Sequence, residues 1–197
     1  SHRQKKKKMR IASINQEEAC CTVVFQNVSL TFVNALRRCI LADVQTYAID
    51  SVEISENTSC VNSCVLAHRM GLLPVKAVGN DANVLSASID YECQGIFEHL
   101  TTDMVHSVNI CFPETIPIIE MTKGEKVKCN LQVVRGSGSQ HAKFCPVSMC
   151  TILDGDACIK LVYETVGTLT CEQILWNALE CLQNKFKVLQ NVFDAHD

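Results

Sequence analysis

The sequence predicts an α+β protein, and three observations point there. Apolar residues recur at three- and four-residue steps in some segments and at two-residue steps in others, the periods of amphipathic helices and half-buried strands. Hydrophobic residues make up 47% and charged residues 20% of the 197 residues, enough for the core of one compact domain or two small ones. Thirteen cysteines, an odd number, are scattered through apolar stretches such as "EACCTVVF" and "NALECLQNKF", where a reduced thiol packs as a small hydrophobe.

The chain opens with "SHRQKKKKMR". The Lys5–Lys8 run is expected to be a disordered, solvated tail over residues 1–8, with nuclear targeting or an acidic partner as the sharper alternative and Met9 as a candidate native start. "ACCTVVF", Ala19 to Phe25, is rich in residues that suit a pleated surface and predicts a strand. Ser29 is placed to cap a helix on which Val33, Leu36, Ile40 and Val44 share one face. "TYAIDSVEI" reads as extended, and "VNSCVLAHRMG" as a second helix stopped by Gly71, with Pro74 just beyond.

The middle of the chain reads as strands. "HSVNICF" alternates Val108, Ile110 and Phe112, and "KVKCNLQV" alternates Val127, Cys129, Leu131 and Val133 against polar neighbours. "RGSGSQHAK" reads as a Gly/Ser loop, and "CIKLVYETVG" as a strand with Ile159, Leu161 and Tyr163 on one face. The last segment is the strongest helix. Thr170 and Gln173 have capping-box spacing, and Glu172 suits the first turn. Leu175, Leu179, Leu182, Phe186, Leu189 and Phe193 then form a heptad seam on a helix about 35 Å long. The pattern alone leaves open whether that seam faces the chain's own core or a second protein.

Several function classes are disfavoured. The formal net charge is −3 and the pI about 6.1, without the basic excess of a protein that grips nucleic acid by itself, so any such role is expected to be indirect. No apolar run approaches membrane-spanning length, and the N-terminus lacks the apolar core of a signal peptide. An intracellular, reducing location follows as the expectation. Cys60, Cys64 and His68 fall at i, i+4 and i+8, a face of possible zinc ligands on one helix. No C-x-x-C or second close pair completes a tetrahedral set, so no metal and no cofactor are expected. "RGSGS" lacks the phosphate-cradling glycine pattern, no Cys/His pair sits in a local hydrolase signature, and no carboxylate cluster suits metal-ion catalysis. These observations reach a mixed α and β protein with an interaction helix and do not by themselves reach a function.

The run "NALRRCILADVQTYAIDSVEISENTSCVNSCVLAHRMGLLPV", Asn34 to Val75, carries an N-A-L-R-R helix, an A-I-D strand, an E-N-T-S turn and an A-H-R-x-G-L-x-P-V segment in that order. With "GSGSQHAKFCPVS" and "YETVGTLTCEQILWNALECL" further on, the chain resembles the α-like subunits of multisubunit DNA-directed RNA polymerases, nearest to the larger α-like subunit of the archaeal enzyme and the third-largest subunit of eukaryotic RNA polymerase II. That resemblance implies a discontinuous dimerisation domain, a sheet plus two helices from residues 9–52 and 157–197, interrupted by a β-rich domain over 53–156. It implies a non-catalytic assembly platform. The last helix, through Leu175, Leu179, Leu182, Phe186, Leu189 and Phe193, would pair with a smaller α-like subunit. The second-largest and largest catalytic subunits would dock elsewhere, with small zinc-binding subunits nearby. Asn34, Arg37, Arg38, His68, Arg69, His141 and Lys143, all within the shared motifs, are the expected contacts to the large subunits. Arg37 and Arg38 project about 100° apart on a helix, so at least one leaves the core and offers its planar fork to a partner.

The chain departs from the family pattern at Gln45, where proline is usual, at Phe144, where tryptophan is usual, and before Ala67, where an acidic pair is missing. Cys93, Cys111 and Cys129 are too far apart in sequence to form the metal cluster that many members carry in the inserted domain. The short, divergent, cysteine-rich chain suggests a large DNA virus with its own polymerase. Residence in the nucleus is expected for a cellular member, and in the cytoplasm or virion for a viral one. The alternative function is a cysteine-rich intracellular adaptor that binds through its C-terminal helix.

Overall fold

The computed structural model describes residues 9–78, 84–155 and 158–194; the lysine tail, 1–8, lies outside them. In chain order the elements are β1 (Arg10–Glu17), β2 (Cys20–Gln26), α1 (Leu30–Ala42), β3 (Gln45–Asn57), α2 (Ser63–Gly71), β4 (Lys76–Ala77), β5 (Val84–Glu92), β6 (Phe97–Thr101), β7 (Ile110–Cys111), β8 (Pro117–Thr122), β9 (Lys126–Ser137), β10 (Val147–Asp154), β11 (Ile159–Thr165) and α3 (Cys171–Asp194). They form two compact units, one running up to Val44 and again from Cys145, the other from Gln45 to Phe144.

The first unit holds an antiparallel four-stranded sheet in the order β1-β2-β11-β10. Cys21, Val23 and Phe25 of β2 sit opposite Tyr163, Leu161 and Ile159 of β11, so the predicted inward residues of both strands meet on one face. Val33, Leu36, Cys39 and Ile40 of α1 pack on them, joined by Cys171, Ile174, Leu175, Ala178 and Leu182 of α3. Ser29 caps α1 as expected: the Phe32 N–H donates to its Oγ at 3.2 Å. The helix closes earlier than its apolar spacing suggests. Asp43 is the C-cap, and Val44, though fully buried, lies past the end. β1 is an edge strand with every residue exposed, tied to β2 at its start by the Arg10 guanidinium on Gln26 Oε1.

The second unit centres on an antiparallel sheet in the order β3-β9-β5, with α2 against β3 and two short ribbons, β4–β7 and β6–β8. Val127, Cys129, Leu131 and Val133 of β9 face the core as their alternation predicts, where Leu66 and Met70 of α2 meet them. Asn62 caps α2 by accepting from the Cys64 N–H at 2.8 Å. Gly71 is the last helical residue and does not stop the helix itself; Leu72 is the C-cap.

Two expectations about strands and loops need correction here. "HSVNICF" forms only the two-residue β7, and Val108 is 91% exposed, because its alternation meets no neighbouring strand over most of its length. "RGSGSQHAK" begins as strand: β9 continues to Ser137, pairing Gly136 with Thr46 and Ser137 with Gln45, so ladder hydrogen bonds override the turn-forming composition there. The compact units divide after Val44 and before Cys145, whereas the domains that the resemblance implies divide at 52/53 and 156/157. β3 runs unbroken past residue 52, and β10 is hydrogen-bonded to β11 of the first unit.

Candidate functional site

The expected site residues fall on three surfaces: α3, one face of α1, and a cleft in the second unit. On α3 the capping box forms. The Thr170 N–H donates to Gln173 Oε1 at 2.9 Å, and the Gln173 N–H donates back to Thr170 Oγ1 at 3.2 Å. The expected seam then divides in two. Leu175 and Leu182 are buried in the unit's own core, with Leu179 partly buried beside them. From Gln183 to Asp194 every residue is exposed, including Phe186 at 60%, Leu189 at 55% and Phe193 at 73%. The period is that of one continuous apolar face, but the unit's own core covers only its first half.

On α1 the arginines leave the core as expected. Arg37 is half-buried and Arg38 exposed. Arg37 Nε donates to Asn34 Oδ1 at 3.1 Å, one turn earlier on the helix, so Asn34 orients the guanidinium. Arg37 also lies near β10: burial pushes the Cys150 thiol up to about 12, and the Arg37 cation pulls the other way. Arg38 has no hydrogen bond or ion pair among the described residues.

In the second unit His68, from the last turn of α2, and His141 and Lys143, from beyond β9, line one cleft of about 190 Å³. Lys143 Nζ is 2.7 Å from Asp50 Oδ1, donates to the Ile49 carbonyl at 3.2 Å, and lies 5.2 Å from the centroid of the Phe144 ring. Its charge is therefore largely met within the unit, and its side chain is only 13% exposed. His141 Nδ1 accepts from the Lys143 N–H at 3.1 Å, which leaves Nε2–H as the donor of the neutral ring. Arg69 is exposed but does not line the cleft. Asp50, in the A-I-D strand motif, lines the same cleft but is not among the contacts that the resemblance implies.

Cys60 precedes α2, so Cys60, Cys64 and His68 do not share one helix face. Among the described residues no group of three His, Cys, Asp or Glu side chains is placed to hold a metal ion, and all thirteen cysteines are free thiols. None of the described helices is long and apolar enough to cross a membrane. The arrangement offers apolar area, one oriented arginine beside a second exposed one, and a small cleft of mixed lining, which suit protein contact.

A family described as the RNA polymerase Rpb3/Rpb11 dimerisation domain matches residues 22–186. The chain is 30% identical over 159 residues to DNA-directed RNA polymerase subunit Rpo3 of Methanocaldococcus jannaschii, covering 79% of this chain and 81% of that one. It is 32% identical over 149 residues to Rpo3 of Pyrococcus horikoshii, covering 70% of this chain but 57% of that one. It is also 24% identical over 181 residues to a conjugation stage-specific protein of Tetrahymena thermophila, with 73% and 58% covered. The chain thus spans little more than half the length of the latter two.

Proposed function

The chain belongs to the RNA polymerase Rpb3/Rpb11 dimerisation-domain family, and from that premise we propose that it is a non-catalytic structural subunit of a DNA-directed RNA polymerase, one that pairs with a smaller α-like subunit and forms the platform for the large catalytic subunits. The carrying observation is the exposed half of α3. Phe186, Leu189 and Phe193 are each more than half exposed and continue the face that the first half of the helix buries, with the exposed Val188 and Val192 beside them. Such an apolar stripe in water marks a surface built to be covered, and the heptad spacing suits a second helix.

Docking of the second-largest subunit, followed by the largest, is assigned to Asn34, Arg37 and Arg38 and to the cleft of Asp50, His68, His141 and Lys143, with Arg69 at its margin. Desolvated arginines are frequent interface anchors. Small zinc-binding subunits complete the surroundings, and contact with nucleic acid is indirect.

Co-expression with the smaller α-like chain tests the pairing. Phe186→Asp with Phe193→Asp places two charges into the apolar contact without touching the unit's own core. The partner should be lost on purification. Retention at normal stoichiometry would show that α3 is not the pairing helix.

A further inference from the structure

Where α3 leaves the core it passes the C-terminus of α1, and a groove of about 590 Å³ opens there, lined by Asp43, Cys181, Asn184, Lys185, Val188 and Leu189. One ion pair sits in its wall. Lys185 Nζ is 2.6 Å from Asp43 Oδ2, and the Cys181 thiol donates to the Asp43 carbonyl oxygen at 3.8 Å. Asp43 is the C-cap of α1, where a carboxylate opposes the helix dipole. The lysine supplied from the other helix offsets that, and its own ammonium is held above the ordinary range chiefly by the hydrogen bond to Asp43.

Three features make this groove part of a contact surface. Leu189 belongs to the exposed stripe of α3 and Val188 flanks it, so the groove adjoins the face assigned above to the smaller α-like subunit. Its rim carries no net charge, because lysine and aspartate cancel. Lys185–Asp43 is also the one ion pair between α1 and α3 among the described residues, and it falls at the point where burial of α3 ends.

We propose that the groove receives a large apolar side chain from the helix of the smaller α-like subunit, and that docking covers the Asp43–Lys185 pair, which thereby fixes where along α3 the partner sits. This rests on the pairing role of α3 and deepens it. In the free subunit the pair is still open to water, with the Lys185 side chain 56% and the Asp43 side chain 25% exposed, and such pairs contribute little. Under a partner the same pair is desolvated, and losing one member strands the other charge. The two states therefore differ in how strongly the residues are coupled.

A double-mutant cycle with Asp43→Asn and Lys185→Gln, read twice, tests this. The readouts are denaturation of the free subunit and affinity for the co-expressed smaller α-like subunit. In the free subunit each change should alter the folding equilibrium by about fivefold or less. In the complex each single change should weaken affinity roughly tenfold or more, with the double variant weakened by much less than the product. The exchanged pair, Asp43→Lys with Lys185→Asp, should bind within about threefold of the original if the requirement is for opposite charges. Equal coupling in both readouts, or none in the complex, overturns the inference. If Phe186→Asp with Phe193→Asp abolishes binding while the cycle shows no coupling, only the groove assignment fails. If that variant binds normally, the pairing role of α3 fails and the groove assignment with it.

Discussion

Gly136 carries a constraint that its setting in "RGSGSQHAK" conceals. A Cβ there would lie 2.8 Å from the Phe144 ring and 2.7 Å from Gln140 Oε1. The glycine thus serves as a seat for a buried aromatic ring, and the Phe144 carbonyl is held in turn by the Thr46 hydroxyl at 2.7 Å. Gly136→Ala should lower stability by about 1–3 kcal/mol through overpacking, and an unchanged denaturation midpoint would show that the ring can yield. A second residue-level device is the Tyr91 phenol, which donates to Glu98, while the Gln94 N–H donates to the same carboxylate. That hydrogen bond pushes Tyr91 up to about 12 and holds Glu98 below the ordinary carboxylate range. The phenol must stay protonated to donate, so its contribution is complete below about pH 10 and is lost as pH rises toward 12. Glu98 acts oppositely: its contribution is intact above the ordinary carboxylate range and falls away in acid. Tyr91→Phe should remove the Tyr91 share of the alkaline loss and return Glu98 toward its usual titration, both checked by stability against pH and by NMR titration of Glu98. Neither device is legible in the sequence, because each joins side chains whose proximity depends on the path of the chain between them.

At the scale of elements, what is legible is local. Ser29 with α1, and Thr170 with Gln173 on α3, can be read because a cap and its helix lie within one turn of sequence. β9 and β11 can be read because a strand buried on one face records that burial in its own alternation. β1, whose residues are all exposed, and the short ribbons carry no such record and exist through pairing with distant segments. α3 shows the limit most clearly. Its period is correct over the whole length, but the point where its own core stops is set by the end of the packed layer and leaves no mark in the helix. Leu182, an interface residue by the family resemblance but undecided by spacing, is 8% exposed within the unit. Leu182→Ala should therefore destabilise the isolated subunit by about 2–5 kcal/mol. Phe193→Ala, at 73% exposure, should stay within about 0.5 kcal/mol of the original. Chemical denaturation of both variants decides it, and equal losses would mean that the end of α3 is packed in solution.

At the scale of the molecule, the ordered motifs from Asn34 to Val75 make the family recognisable, and the family model matches residues 22–186. The shared motifs also group His68, His141 and Lys143, which the fold brings to one cleft. The unit boundaries are not legible, since β3 carries one extended pattern straight through the expected division. Arg37→Ala with Arg38→Ala should leave the subunit folded and paired, because neither arginine contributes to the exposed stripe of α3. Docking of the second-largest subunit should weaken by about 2 kcal/mol or more if these are buried anchors in the assembly. RNA synthesis per mole of intact complex should be unchanged. A variant that assembles fully yet is inactive per complex would place the arginines in the chemistry.

Trp176 is the one tryptophan of the chain and is 69% exposed on the first half of α3, one helical turn from Glu172 and from Glu180. Excitation selective for indole therefore interrogates a single, named point of the surface. In the free subunit its emission should lie at the long-wavelength end, as for a hydrated indole, and acrylamide should quench it readily. A partner that covers the first half of α3 must shift that emission to the blue and shield it. A partner confined to the stripe beyond Gln183 must leave the spectrum where it was. The footprint of a partner that carries no tryptophan can thus be read without a label, from the colour of one side chain.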